Sequence, residues 1–361
     1  MTAAPSIRNQ PTRVPANRKK AEKSSFAMAV AVGMGALAAT ALLNRHLAKK
    51  AERNHPALGS FMELDGVRLH YIERGSGEPL VLLHGNGSMI EDFVSSGLVA
   101  LAAKQYRVIV IDRPGFGHSE RPRNVIWTPG AQADLIKRAL ERLNVSRATV
   151  LGHSWGASVA VALALKYPDL IRGLVLASGY YYPTARPDVV AMGAPALPLV
   201  GDILSHTLSP LVSRAIWPVM TSQMFGPKPV PRKFKGFPKE MALRPSQIRA
   251  SAEESALMIP DAFRFRGRYA ELKMPVVIIA GEQDRLIDIN KQSARLHGDI
   301  PQSRLHRVAG NGHMIQQTAT TELMSAICEV DGGSTVPAAE QALEVHPIEP
   351  AHKPRHAPRS V

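Results

Sequence analysis

One cysteine among 361 residues excludes an internal disulfide framework and any metal site built from several cysteines. Cys328 sits in the helical stretch TELMSAICEV and reads as a small core residue, which leaves the redox compartment open. No HExxH or paired-histidine spacing occurs, so no metal is expected. The glycine-rich turns at 84–87 and 115–117 are not followed by Lys-Ser or Lys-Thr, so neither reads as a phosphate loop, and no cofactor is expected. There is no internal repeat.

Charge is lopsided. Lys and Arg total 44 against 30 Asp and Glu, a net +14. Ten of the basic residues lie in 1–55, opposed only by Glu22 and Glu52, while the tail 332–361 is balanced. The excess flanks a hydrophobic segment, which suits anionic lipid headgroups better than a nucleic-acid groove. Nucleic acid is therefore not an expected partner.

Residues 26–43 (FAMAVAVGMGALAATALL) carry no charge and no proline. About 18 such residues stand at the short end of what spans a bilayer core as a helix. More basic residues precede the run than follow it, which orients it N-in and puts the bulk of the chain on the non-cytoplasmic side. A retained signal anchor is the first reading. A cleaved secretory peptide is the second, since Ala39-Thr40-Ala41 is a small-x-small site. A packing helix of a soluble protein is the third. The basic arm 1–25 and the Pro-rich tail 332–361 are expected to lack structure.

Between them, 45% overall hydrophobic content supports a sizeable core. Residues 61–64 and 67–73 read as strands turned at Asp65-Gly66. The short β-branched runs at 80–83, 108–111, 148–151, 174–177 and 276–280 suit strands buried on both faces. A last strand is expected at 304–308. Helical patterns at 132–143, 155–166 and 321–329 alternate with these runs, giving a three-layer α/β domain over 56–331. From 177 to 276 no β run occurs, and a structureless loop of that length is improbable. Amphipathic fragments at 211–220 and 246–259 make it an inserted helical cap, 183–266.

Gly152-His153-Ser154-Trp155-Gly156 runs from a buried strand into an apolar helix, which is the setting of a nucleophile elbow. The turn forces Ser154 into a strained conformation and puts its hydroxyl at a helix N-terminus. Serine needs a base, and the base an orienting acid. Chain order points to Asp284, just past the strand 276–280, and to His313 at the end of Ala309-Gly310-Asn311-Gly312. Backbone N–H groups of Asn86, in the turn after 80–83, and of Trp155 are the expected oxyanion donors. Asp288 is the rival acid but reads as a helix cap. Asp112 reads as structural, paired with Arg113 or a backbone amide. His84, His118 and His153 read as structural, and His306 as exposed. Tyr180, Tyr181 and Tyr182 either line an acyl pocket or pack.

The set HGNG, DRPGFGHSERP at 112–122, GHSWG, GEQD and GNGH resembles the capped α/β-hydrolase superfamily over roughly residues 60–330. The resemblance implies an eight-stranded, mostly parallel sheet, a lid after the sixth strand and hydrolysis through an acyl-enzyme. Carried onto matching positions, it gives Ser154 as nucleophile, Asp284 as acid and His313 as base. The HGN turn and the Trp after the nucleophile are dehalogenase-like, but dehalogenases and epoxide hydrolases of this superfamily use aspartate at the elbow. Serine there disfavours dehalogenation. A carboxylic-ester hydrolase acting on a small acyl substrate is the leading expectation. Carbon–carbon bond hydrolases, aminopeptidases and perhydrolases share the triad, and a non-catalytic, membrane-tethered binding protein is the rival of another class.

Overall fold

A computed structural model describes residues 16–332 except 187, 188, 190, 191 and 198. The expected tail, apart from Gly332, and the first 15 residues of the expected arm lie outside the described residues.

Eight strands form one sheet: β1 (Ser60–Leu64), β2 (Val67–Arg74), β3 (Glu78–Leu83), β4 (Tyr106–Ile111), β5 (Ala148–His153), β6 (Ile171–Ala177), β7 (Val276–Gly281) and β8 (Ser303–Val308). Their order is β1-β2-β4-β3-β5-β6-β7-β8. The β1–β2 and β2–β4 pairs are antiparallel, and every later pair is parallel. The strand order reverses between β3 and β5, and at such a crossing an α/β sheet leaves a crevice at its C-terminal edge.

Alternation along each strand sorts side chains to two faces. Val81, Leu83, Ile109, Val150, Leu174 and Ile278 join one core, which packs on α4 (Pro129–Arg142) and α5 (Trp155–Lys166). Leu80, Leu82, Val110, Leu151, Val175 and Ile279 join the other, under α2 (Ile90–Ser96) and α3 (Leu98–Ala102). The C-terminal helix Thr320–Val330 completes that second face and buries Cys328. Tyr180, Tyr181 and Tyr182 are buried in the first core, which is their packing reading.

Two differences from expectation concern the ends of α1 (Ala16–Asn54). It starts inside the basic arm, because residues 16–25 (ANRKKAEKSS) are mostly good helix formers that extend an existing helix cheaply. It also runs on past the apolar stretch, where Asn44 and Ala51 are buried against the domain. From Ser24 the helix is long and apolar enough to cross a membrane, with a window of mean hydropathy 2.1 and none of that window buried.

Between β6 and β7 the described residues hold helices and no strand. They include α6 (Val200–His206), α7 (Leu208–Phe225) and α8 (Pro245–Phe265).

Candidate active site

The elbow follows from two glycines. A Cβ on Gly152 would lie 2.3 Å from the Gly156 carbonyl oxygen, and one on Gly156 would lie 2.2 Å from that of Leu83. Only bare backbone lets β5, α5 and β3 pass this closely. Ser154, between them, has φ 54° and ψ −121°. That left-handed backbone carries about 1–3 kcal/mol of strain. It is held by the Ser154 N–H bond to Ala177 O at 2.8 Å and by the Ala157 N–H bond to Ser154 O at 3.0 Å.

Asp284 and His313 come to this serine from separate loops. Gly281, the last residue of β7, abuts the carbonyl oxygens of Asn311 and Gly312, 2.3 Å from where a Cβ would stand. The acid and histidine loops therefore pack backbone to backbone. Ser154 Oγ lies 3.0 Å from His313 Nε2, and His313 Nδ1 lies 2.7 Å from Asp284 Oδ2. The hydrogen bonds fit one tautomer, with Nδ1–H donating to the carboxylate and Nε2 accepting from the hydroxyl. Burial works to raise the Asp284 carboxyl, but the charge and hydrogen bond of His313 and the Ile287 and Leu286 amides outweigh it and hold it below the usual range. Asp288 stands apart from this chain. Its carboxylate accepts from the Asn290 and Lys291 amides at 2.9 and 3.1 Å, which is a local cap.

The turn after β3 lies against the elbow, and a Cβ on Gly85 would sit 3.0 Å from Ser154 Cβ. Among the described residues no acceptor takes the backbone N–H of Asn86 or of Trp155. Trp155 is the first residue of α5, so its amide is one of the donors a helix start leaves unpaired. The Trp155 indole N–H is also buried and unpartnered among the described residues.

His84 donates through Nδ1 to Gly85 O at 2.8 Å and accepts from the Arg113 amide at 3.0 Å. His153 donates through Nε2 to His313 O at 3.0 Å. His118 contacts His55 O at 3.0 Å, and His306 pairs with Glu329 at 2.6 Å. Asp112 takes the backbone-amide alternative rather than Arg113. Its carboxylate pairs with His70 at 2.6 Å and accepts from the Ile90 and His118 amides, whereas Arg113 turns away from it.

Arg113 goes instead to Glu254 of the cap, and both are fully buried. The guanidinium also donates to Gln132 Oε1 at 2.9 Å and to the His84 and Gly85 carbonyls at 2.8 and 2.9 Å. Asn86 Nδ2 donates to Ser251 O and Ser255 Oγ at 3.0 and 3.1 Å, so α8 grips the same turn twice. Sequence reading missed this clamp. Gln247, Ala250 and Glu254 are all fully buried at spacings of three and four, so the glutamate sits on the buried face of an amphipathic helix. Asp92 was missed too. It is buried, and it accepts from Gln316 and Gln317 just beyond His313 at 2.8 and 2.9 Å. Finally, the cap touches the histidine loop itself: the His313 N–H donates to Met224 O in α7 at 3.0 Å, and Lys228 Nζ to Asn311 Oδ1 at 2.9 Å.

A cleft of about 1180 Å³ opens elsewhere, between the turn at 115–127, the start of α8 and the end of α1, and holds none of Ser154, Asp284 or His313. Its Arg121, Arg123, Arg244 and Arg249 are paired with Asp or Glu.

An eight-stranded sheet of this order, an elbow after its fifth strand and a cap after its sixth define an α/β hydrolase. The alpha/beta hydrolase fold family model matches residues 78–320, and the chain belongs to that family. It is 26% identical over 279 residues to cis-3-alkyl-4-alkyloxetan-2-one decarboxylase of Shewanella oneidensis, covering 74% of this chain and 86% of that protein. It is also 26% identical over 275 residues to haloalkane dehalogenase 2 of Mycobacterium tuberculosis, covering 73% and 91%. Among solved structures, a bacterial membrane phospholipase A shares the fold with a TM-score of 0.58 at 19% identity, covering 87% of this chain and 99% of that one.

Proposed function

We propose that the chain is a serine hydrolase that cleaves carboxylic esters through an acyl-enzyme. The observation that carries the reading is the unbroken line of hydrogen bonds from Ser154 Oγ through His313 to Asp284. His313 Nε2 takes the hydroxyl proton as Oγ attacks the ester carbonyl. The developing oxyanion falls to the amides of Asn86, in the turn after β3, and of Trp155, at the start of α5, where the helix dipole adds to the pull. His313 then returns the proton to the leaving alkoxide, and a water deprotonated by the same nitrogen releases the acid. Asp284 stays ionised throughout and holds the ring.

The apolar part of α1 is a retained membrane anchor in this reading, with the domain on the non-cytoplasmic side. Its unburied apolar window and the basic residues on both flanks support that role. The fold likeness to a membrane phospholipase A is consistent with an ester substrate met at a membrane.

Labelling with a fluorophosphonate probe tests the chemistry. Wild-type protein should label within minutes and Ser154→Ala not at all. Absent labelling of folded wild type, or equal labelling of the variant, would remove Ser154 as nucleophile.

A further inference from the structure

Helix α7 is amphipathic the wrong way round for a protein surrounded by water. Leu208, Leu211, Val212, Ile216 and Val219 recur at helical spacing on one face and are between 39% and 63% exposed. The helix turns its one charged residue inward, where Arg214 reaches Glu240 at 2.9 Å and Asn44 at 3.3 Å, and Thr221 is buried beside it. Beside it, α6 exposes Val200 and Ile203, and Leu199 before it is 79% exposed. Soluble monomers rarely carry a contiguous apolar surface of this kind without a use for it.

The place of this face names its occupant. Asn44 follows directly on the apolar run of α1, and its side-chain amide donates to His206 O at 3.0 Å and Thr207 O at 2.7 Å. Those two carbonyls are the joint between α6 and α7. The apolar surface of α1 therefore ends where the apolar faces of the cap helices begin, and one continuous layer covers both. Arg45, Lys49 and Lys50 come within the next two turns of α1, at the level where anionic headgroups would lie. A buried apolar face rimmed by basic residues is how a helix rests in a membrane interface.

We propose that the α6–α7 face of the cap lies in the headgroup–acyl boundary of the membrane that α1 spans, so that the site draws its acyl ester from that leaflet. The inference rests on the reading of α1 as an anchor and deepens the proposed esterase activity. A substrate in the leaflet meets the cap without first crossing water.

The test uses the full chain in vesicles of phosphatidylcholine and phosphatidylglycerol, with a nitroxide on one introduced cysteine at a time. The native Cys328 is buried, and unsubstituted protein serves as the labelling blank. Labels at Ile203→Cys, Val212→Cys and Val219→Cys should meet dissolved oxygen more often than a water-soluble nickel chelate, as should one at Val32→Cys. Ser146→Cys, an exposed residue before β5 at the far edge of the sheet, should show the reverse. Lipid-like behaviour at Val32 with water-like behaviour on the cap would overturn the docking and leave the anchor standing. Water-like behaviour at Val32 would overturn the anchor as well. Cap labels broadened by spin–spin contact and closed to both reagents would mean that a second copy covers the face, which also overturns it. Val212→Glu combined with Val219→Glu should cut turnover of p-nitrophenyl palmitate held in vesicles about tenfold or more, while p-nitrophenyl acetate in water turns over as before. Equal effects on the two esters would overturn supply from the leaflet.

Discussion

Ser154 and His313 stand 3.0 Å apart in a geometry that several neighbours enforce, and each of those neighbours can be removed singly. Asp284 is the most informative. Its carboxylate accepts hydrogen bonds from Nδ1–H and from two backbone amides, so Asp284→Asn keeps the shape but offers His313 the wrong group and favours the wrong tautomer. A loss of about 10³–10⁴-fold in kcat is expected. Asp288→Asn should leave kcat close to wild type, because Asp288 only caps the turn that starts at Asn290. Steady-state kinetics on a p-nitrophenyl ester decide between them, and a large loss at Asp288 with none at Asp284 would reassign the acid.

At the level of elements, the turn after β3 is held from above by α8. Glu254→Ala leaves the Arg113 guanidinium buried without its carboxylate, a change that costs about 3–5 kcal/mol. For a domain of this size that lowers Tm by about 5–9 °C, which calorimetry reads directly. An unchanged Tm would show that the pair is not structural. The contrast between this clamp and the sheet shows what a linear reading sees. All eight strands were legible: the interior ones because burial on both faces writes continuous β-branched runs such as Val108, Ile109, Val110 and Ile111, and β1 and β2 from the turn at Asp65-Gly66 between them. So was the elbow, whose two glycines answer a steric demand within five residues. The Arg113–Glu254 pair joins positions 141 apart, and although the period of α8 puts Glu254 on its buried face, nothing local names either residue as the other's partner. Asp112 illustrates the same limit. It was expected to meet Arg113 or a backbone amide, and the Ile90 and His118 amides are there, but its His70 partner, 42 positions away, had no local mark, and Arg113 leaves for the cap. The exposed stripe of α7 was legible as a period but not as a direction, since spacing alone does not say which face meets the domain.

For the molecule as a whole, acid should act through its buried histidines. Burial, helped by the Arg113 charge, pushes His84 down to about 3, and burial, helped by His313, pushes His153 down to about 3, both from 6.5. Unfolding frees them to take up protons that the native state refuses, so the unfolded state binds more protons between those values. Stability is complete above about pH 6.5 and falls toward pH 3, by up to about 1.4 kcal/mol per pH unit for each histidine. That is the histidines' share alone: burial pushes the Glu91 and Asp261 carboxyls up to about 8 and about 6, which works the opposite way. Between pH 7 and pH 5 the wild-type urea midpoint should therefore drop relative to that of His153→Gln, and a constant difference would contradict a buried, neutral His153. Mechanical connection matters at this scale too. The bond from the His313 amide to Met224 O is 3.0 Å long, and Met224 lies in the last turn of the helix whose other side carries the outward apolar stripe. A hydrogen bond tolerates a stretch of only a few tenths of an ångström, roughly up to 3.2 Å, before it weakens. A slide of α7 along its axis therefore either lets go of the loop or drags the imidazole off its line to the serine, so pressure on the outer surface reaches the His313 ring through a linkage with almost no play.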